Sequence, residues 1–257
     1  MGRTGRPSSH PRASGEGVEA LRPESSQGLR EGAYPPPQPS PAGGEGEIPA
    51  VWLGRKSYAA AHALQVELRD RIIAGDSFGA LLLLEHEPVV TLGRRHESGD
   101  LLVGPEALAR AGLDVVATER GGRATYHGPG QVVGYPVFRL RALAPDVPTF
   151  VWGIEEALIR TAGALGVAAT RSPMGRGVWV GEAKLGCIGL AVTRGVCWHG
   201  FALNVRLEPD GFRWIRPCGL DVHPISISQV VGEAPTVEAV ARLVGERFCE
   251  VFGRTED

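Results

Sequence analysis

Lysine is almost missing from this chain: of 27 basic residues only Lys56 and Lys184 are lysines, and arginine carries the rest. A lysine kept against that background points to something a permanently charged guanidinium does not offer, namely a pKa that shifts and a proton that exchanges. Net charge is also small, at −2, which leaves no electrostatic footprint for nucleic acid. No apolar run approaches the roughly 20 residues of a membrane span. There is no G-x-x-x-x-G-K-[ST] loop, no dinucleotide fingerprint after a strand and no H-E-x-x-H helix, so the sequence asks for no nucleotide, metal or other cofactor. The cysteines, Cys187, Cys197, Cys218 and Cys249, have neither C-x-x-C nor Cys/His zinc spacing and follow no secretory signal, which predicts reduced thiols in a cytoplasmic protein.

Residues 1–47 lack Ile, Phe and Trp, and after Met1 hold only Val18, Leu21, Leu29 and Tyr34 as larger apolar side chains. They cannot enclose a core. Pro35-Pro-Pro-Gln-Pro-Ser-Pro and Gly43-Gly-Glu-Gly predict an extended, disordered tail. Glu16, Glu19, Glu24 and Glu31 interrupt its arginines, which argues against a transit peptide. We expect much of this segment to be an artefact of an upstream start site. Met174 is the only other methionine, so an internal start would use a non-Met codon, for instance at Val51.

Residues 48–257 suffice for one catalytic domain with a sizeable core, and the absence of a heptad pattern makes a monomer the expectation. Apolar periodicity predicts helices over Ser57–Ala74, Pro105–Ala111, Pro148–Leu165 and Thr236–Phe252. On the third, Val151, Ile154, Leu158, Ala162 and Leu165 share one face. Strand-like segments are Ala80–Leu84, Val89–Leu92, Asp114–Ala117, Gln131–Phe138, Val167–Thr170, Val178–Val180, Leu185–Thr193 and Phe201–Arg206. Strands joined by short turns and interrupted by isolated helices predict an α/β domain with a mixed, largely antiparallel sheet flanked by helices, not a regular parallel βαβ fold.

From Arg120 to Pro136 the chain reads Arg-Gly-Gly-Arg-Ala-Thr-Tyr-His-Gly-Pro-Gly-Gln-Val-Val-Gly-Tyr-Pro. Gly121, Gly122, Gly128 and Gly130 permit positive φ or close backbone approach, and Pro129 fixes its own φ. Glycine and proline alone describe an ordinary hairpin; Arg120, Thr125, Tyr126, His127 and Gln131 crowded around the turn suggest the wall of a binding site. His127 suits either a base or a turn-closing structural residue, and we take it as a binding residue. Cys218 lies in Arg216-Pro-Cys-Gly219, where proline removes a backbone donor and glycine allows close approach. Such a cysteine is either a small buried hydrophobe or a presented thiol. Lys184 lies in a strand-like stretch, whereas Lys56 is expected at the start of a helix with no site around it.

These segments together resemble the lipoyl(octanoyl) transferase family, itself similar to lipoate- and biotin-protein ligases. Arg-Gly-Gly-x-x-Thr-Tyr-His-Gly-Pro-Gly-Gln stands at 120–131, Lys-x-x-x-Ile-Gly at Lys184–Gly189, His-Gly-x-Ala-Leu-Asn at His199–Asn204 and Pro-Cys-Gly at Pro217–Gly219, in the family's order. The resemblance runs from about Trp52 to about Phe252 and implies a biotin/lipoate protein ligase catalytic-domain-like fold. It implies an octanoyltransferase that takes its acyl group from octanoyl-acyl carrier protein onto Cys218 as a thioester, with Lys184 tuning the thiol, and passes it to a lysine of lipoyl domains. The acceptors would be lipoyl domains of 2-oxoacid dehydrogenase and glycine cleavage H-type proteins, in the first step of endogenous protein lipoylation. Substrate contacts would come from Arg120, Gly121, Gly122, Arg123, Ala124, Thr125, Tyr126 and His127, from Cys187, Ile188 and Gly189, and from Gly200, Phe201 and Ala202. Cys187 departs from the family, which usually has Ala or Ser there, and places a second thiol beside the expected site.

Val132, Val133, Tyr135, Ile188, Leu190 and Phe201 are candidates for an acyl slot, or are ordinary core. One rival activity is an ATP-dependent lipoate or biotin ligase, against which Cys218 and the form of the glycine loop argue. Another is a non-catalytic acyl-carrier-binding protein that uses Arg94, Arg95 and Arg120, a cluster that would otherwise be a solvated face.

Overall fold

The computed structural model describes residues 48–207, 209–219 and 222–253, and all of their side chains except those of Pro105, Pro209, Asp210 and Cys218. The expected tail at 1–47 lies outside the described residues. In chain order the elements are β1 (Ala50–Lys56), α1 (Tyr58–Ala74), β2 (Gly79–His86), β3 (Val89–Leu92), α2 (Pro105–Arg110), β4 (Asp114–Ala117), β5 (Ala124–His127) and β6 (Gln131–Arg139). There follow α3 (Leu140–Leu143), α4 (Val147–Ala164), β7 (Thr170–Ser172), β8 (Gly175–Val180), β9 (Ala183–Thr193), β10 (Val196–Asn204), α5 (Ile227–Val231) and α6 (Val237–Phe252), with short 3-10 turns at Ser98–Asp100, Pro209–Trp214 and Pro217–Gly219.

A seven-stranded sheet runs in the order β1-β2-β6-β10-β9-β8-β7, and a three-stranded sheet in the order β4-β3-β5. Among the described strands only β1 with β2 and β3 with β4 pair in parallel. The mixed, largely antiparallel arrangement expected from the sequence is the one observed. Among the described residues no helix is long and apolar enough to cross a membrane.

Helix ends follow local chemistry. The Ser57 hydroxyl accepts the Ala60 N–H at 3.3 Å, and Gly75 closes α1 with φ 93°. Asp146 caps α4 through the Thr149 N–H at 2.8 Å, and Thr236 caps α6 through the Ala239 N–H at 3.2 Å. Lys56 is the last residue of β1, not the first of a helix, because the helix is capped one residue later at Ser57. β1 itself escapes periodicity: it pairs through one edge only and has no fully buried residue. β5 escapes because its four residues lie between glycine-rich turns. Val167–Thr170 is not a strand; Val167 and Ala169 are buried in irregular chain, and pairing starts only at Thr170.

The large sheet is covered on both faces, so its central strands bury alternate residues in two cores. In β2, Leu81 and Leu83 face α4 and α6, whereas Leu82 and Leu84 face α1. In β6, Val132 and Phe138 take the first face and Val133, Tyr135 and Val137 the second. On α4, Ile154, Leu158 and Ala162 are buried, with Val151 and Leu165 half-buried at the margin. A third cluster, including Val90, Ala124, Tyr126, Phe212 and Ile215, lies under the small sheet.

Gly134 of β6 pairs with Phe201 of β10, and a Cβ at position 134 would overlap the Phe201 ring. Gly134→Ala is therefore expected to cost about 1–3 kcal/mol, the usual penalty for overfilling a close-packed core. Urea denaturation reads it as a lower midpoint at unchanged m-value; an unchanged midpoint would mean that the ring yields freely.

Candidate active site

A cleft opens where α1, the small sheet and strands β6, β9 and β10 meet. The period of two along β5 decides what reaches it: Thr125 and His127 line the cleft, while Ala124 and Tyr126 turn into the small-sheet core. Tyr126 meets Phe212 edge-on at 5.5 Å, and its hydroxyl fills the space that a side chain at Gly128 would need. Arg120, Gly122 and Arg123 also line the cleft, as do Cys187, Ile188, Gly189, Gly200 and Phe201. Ala202 instead packs in the core beneath α1. Of the proposed acyl-slot residues, Val133, Tyr135, Ile188 and Phe201 face the cleft; Val132 is core and Leu190 packs against it.

The glycine loop meets β9 backbone to backbone. The Gly121 N–H donates to the Leu190 carbonyl at 2.8 Å, and a Cβ on Gly189 would lie 2.9 Å from the Gly121 oxygen. Arg120 is buried here, not part of a solvated face: Nη2 donates to the Thr91 carbonyl at 2.6 Å, Nε to the Thr91 hydroxyl at 3.1 Å and Nη1 to the Gly121 carbonyl at 3.1 Å. Arg94 and Arg95 are exposed. Arg123 binds the fully buried Asp100 carboxylate through Nη2 at 2.6 Å and Nε at 2.9 Å, and Glu97 at 2.8 Å. Burial opposes ionisation of Asp100, but hydrogen bonds from Arg123 and from the Glu97 and Ala124 backbones, with the guanidinium charge, hold its carboxyl below the usual range.

A second cavity adjoins the first, since Thr125 and Cys187 border both. Lys184 lines it, 7 % exposed. The backbone of Lys184 is clamped: its N–H donates to the His223 carbonyl at 2.9 Å and its carbonyl accepts from Ile225 at 3.0 Å. Its ammonium lies 4.8 Å from the centre of the Trp179 ring. Pro217 lines the same cavity, and a side chain at Gly219 would overlap the Arg123 guanidinium. The turn that carries Cys218 is thus bordered by the Lys184 cavity on one side and by Arg123 on the other; the Cys218 side chain itself lies outside the described residues.

A family model, the lipoyl protein ligase A/B catalytic domain, matches residues 57–249. The chain belongs to that family. It is 45 % identical over 205 residues to an octanoyltransferase of Solibacter usitatus, covering 80 % of this chain and 91 % of that one. An octanoyltransferase of Koribacter versatilis is 41 % identical over 214 residues, covering 80 % and 84 %. In fold the chain is similar to the bipartite lipoate protein ligase of Thermoplasma acidophilum, with a TM-score of 0.62 at 16 % identity, covering 80 % of this chain and 83 % of that one.

Within this lipoyl protein ligase A/B domain a line of hydrogen bonds joins the two cavities. His127 Nδ1–H donates to Gln131 Oε1 at 2.7 Å, Gln131 Nε2 donates to Asn204 Oδ1 at 2.8 Å, and Asn204 Nδ2 donates to the Ile225 carbonyl at 3.0 Å. The Gly130 N–H donates to Glu85 at 2.6 Å, which anchors the Gly-Pro-Gly turn from behind. His86 donates from Nδ1 to the Lys56 carbonyl at 3.0 Å, which makes Nε2 the acceptor of the Tyr135 hydroxyl at 2.7 Å. The thiols differ. Burial pushes Cys197 up to about 12, which suits a structural role, whereas Cys187 is half-buried with Sγ 3.8 Å from the Thr125 hydroxyl. Cys249 is half-buried against the Ile48 carbonyl at 3.5 Å.

Sequence reasoning missed Tyr58, Thr91 and Asp100 and gave His199, which opens the His199–Asn204 motif, no contact role; all four lie at or behind the cleft wall. One signal was available: Tyr58, His62 and Gln65 repeat at i, i+4 and i+7 on α1, polar residues where an amphipathic helix would put its core face. Asp100 offered none, because its partner lies 23 residues away.

Burial drives the His127 imidazole down to about 3, aided by the neighbouring His86, and takes His86 down to about 4. Both fall below the ordinary value of about 6.5 that an unfolded chain would show. Their contribution to stability is therefore whole above about pH 6.5 and is lost as pH falls towards 4 and then 3. The denaturation midpoint should drop across that window and drop less steeply in His127→Gln. Parallel profiles for the two proteins would remove His127 as a source.

Proposed function

We propose that this chain moves an octanoyl group from octanoyl-acyl carrier protein, through a thioester on Cys218, to a lysine of a lipoyl domain in the cytoplasm. Octanoyl transfer is the activity for which its relatives at 45 % and 41 % identity are named. The single observation that carries the mechanism is the convergence of three separated sequence motifs on one pair of adjoining cavities. The Lys184 strand, the glycine loop and the Pro217–Gly219 turn all border them.

The proton inventory closes over one cycle. Cys218 rests as the thiolate beside the Lys184 ammonium and attacks the donor thioester carbonyl. The carrier thiolate leaves and takes a proton from Lys184. The acceptor amine then attacks acyl-Cys218, loses a proton to the neutral Lys184 amine, and Cys218 departs as thiolate beside the regenerated ammonium. A free thiol of pKa about 8.5 is only a few per cent ionised at neutral pH; lowering it by about 1.5 units needs roughly 2 kcal/mol, which a close, partly desolvated ammonium can supply. Thioester exchange is nearly isoenergetic and aminolysis runs downhill, so the reaction needs no nucleotide.

Intact-protein mass spectrometry after mixing with octanoyl-acyl carrier protein, without ATP, tests this directly. We expect one hydroxylamine-labile octanoyl adduct on the parent and none on Cys218→Ser; no adduct on either, with transfer appearing only once ATP is added, would establish a ligase. Lys184→Arg keeps the charge but cannot take up a proton. Acylation should survive in this variant while aminolysis slows by about 10²–10⁴-fold, as for loss of a general base. Single-turnover decay of the acyl-enzyme measures it, and parental decay would rule out Lys184 as the proton acceptor.

A further inference from the structure

His62 of α1, Glu119 of the turn before Arg120, and His199 of β10 bring one ligand atom each to a common point. Nε2 of His62 lies 3.2 Å from Glu119 Oε2, Nε2 of His199 lies 3.4 Å from the same oxygen, and all three atoms fall within 4.8 Å of one another. We propose that these residues form a binding site for a divalent cation of the zinc class.

Geometry favours it. Bonds of about 2.0–2.2 Å in a tetrahedron put adjacent donors roughly 3.3 Å apart, so two of the three edges already fit and only the His62–His199 edge must close. The donor set selects the metal: imidazole with a single carboxylate suits Zn²⁺ or Co²⁺, whereas Mg²⁺ and Ca²⁺ prefer all-oxygen shells.

An independent observation comes from His199. Its side chain is 1 % exposed, and Nε2 approaches Glu119 without hydrogen-bond geometry, so this buried nitrogen has no hydrogen-bond partner among the described residues. The ring is nonetheless held in place. His199 takes φ 55°, its N–H donates to the buried Gln65 side chain at 2.9 Å, and its imidazole stacks on Trp198 at 4.3 Å. Positive φ is uncommon outside glycine, and a residue held there by two further restraints is a positioned side chain. Access is from solvent, since the His62 and Glu119 side chains are 30 % and 43 % exposed. His199 also lines the large cleft, and Glu119 precedes Arg120, so a bound ion would tie α1, β10 and the glycine loop together.

Cobalt titration of the metal-stripped full chain, followed by ligand-field absorption, tests the site. One Co²⁺ per chain in a nitrogen and oxygen field is expected, displaced by Zn²⁺ and not by equal Mg²⁺, with affinity at least about tenfold weaker in Glu119→Gln and again in His62→Gln. Zn²⁺ should raise the Tm of the parent and not of Glu119→Gln. Cobalt binding unchanged in both variants, no binding at all, or a thiolate charge-transfer band lost in Cys187→Ala or Cys218→Ser would overturn the proposal, the last by moving the metal to sulfur.

Discussion

Everything at the candidate site depends on how closely the small sheet can approach the large one. The contact is made by backbone, with the Gly121 N–H on the Leu190 carbonyl at 2.8 Å and Gly189 too near the Gly121 oxygen to carry a side chain. Had the two sheets been held apart by side chains, Thr125 and His127 would not share a cleft with Ile188 and Gly200. Glycine at 121 and 189 is therefore a distance constraint as much as a conformational one. Gly122, with φ 91°, then turns the chain so that Arg123 reaches back to Asp100.

That approach buries charge, and the structure compensates locally. Arg120 spends its donors on Thr91 and the Gly121 carbonyl, and Arg123 forks onto Asp100, so both guanidinium groups are fixed before any substrate arrives. Removing Asp100 would leave Arg123 with its exposed partner Glu97, and the turn at Gly219 that packs on the guanidinium would lose its support. Lys184 is treated differently. Its backbone is clamped on both sides, but its stem runs past Gly177, where a Cβ would come within 3.2 Å of Cε, into a cavity bordered by Pro217.

The fold was legible wherever one period dominated. The helices expected from Ser57 and from Thr236 do start there, and those two side chains cap them. β1 and β5 were not legible: an edge strand with no fully buried residue has no clear alternation to read, and a four-residue strand between glycine turns looks like loop. At the site the motifs located the correct stretch but not its sidedness; alternation along β5, which turns Ala124 and Tyr126 away from the cleft, needs the strand to be known first. Asp100 and Thr91 depend on contacts distant in sequence, which no local pattern encodes.

A cleft walled by histidines and tyrosines looks unsuited to a saturated acyl chain, yet at His127 and Tyr135 the polarity is spent inward. His127 is committed to Gln131, and His86 to the Lys56 carbonyl and the Tyr135 hydroxyl, so those polar atoms have partners behind the wall. Burial keeps the His127 ring uncharged at neutral pH, so an alkyl chain laid against it strips water from no ion. Val133, Ile188 and Phe201 supply the apolar surface beside it. At about 0.8 kcal/mol for each buried methylene, a short chain gains several kcal/mol from such a wall. Lys184, to which the proposed thioester route assigns the charge, lies meanwhile in the adjoining cavity, which shares Thr125 and Cys187 with the cleft.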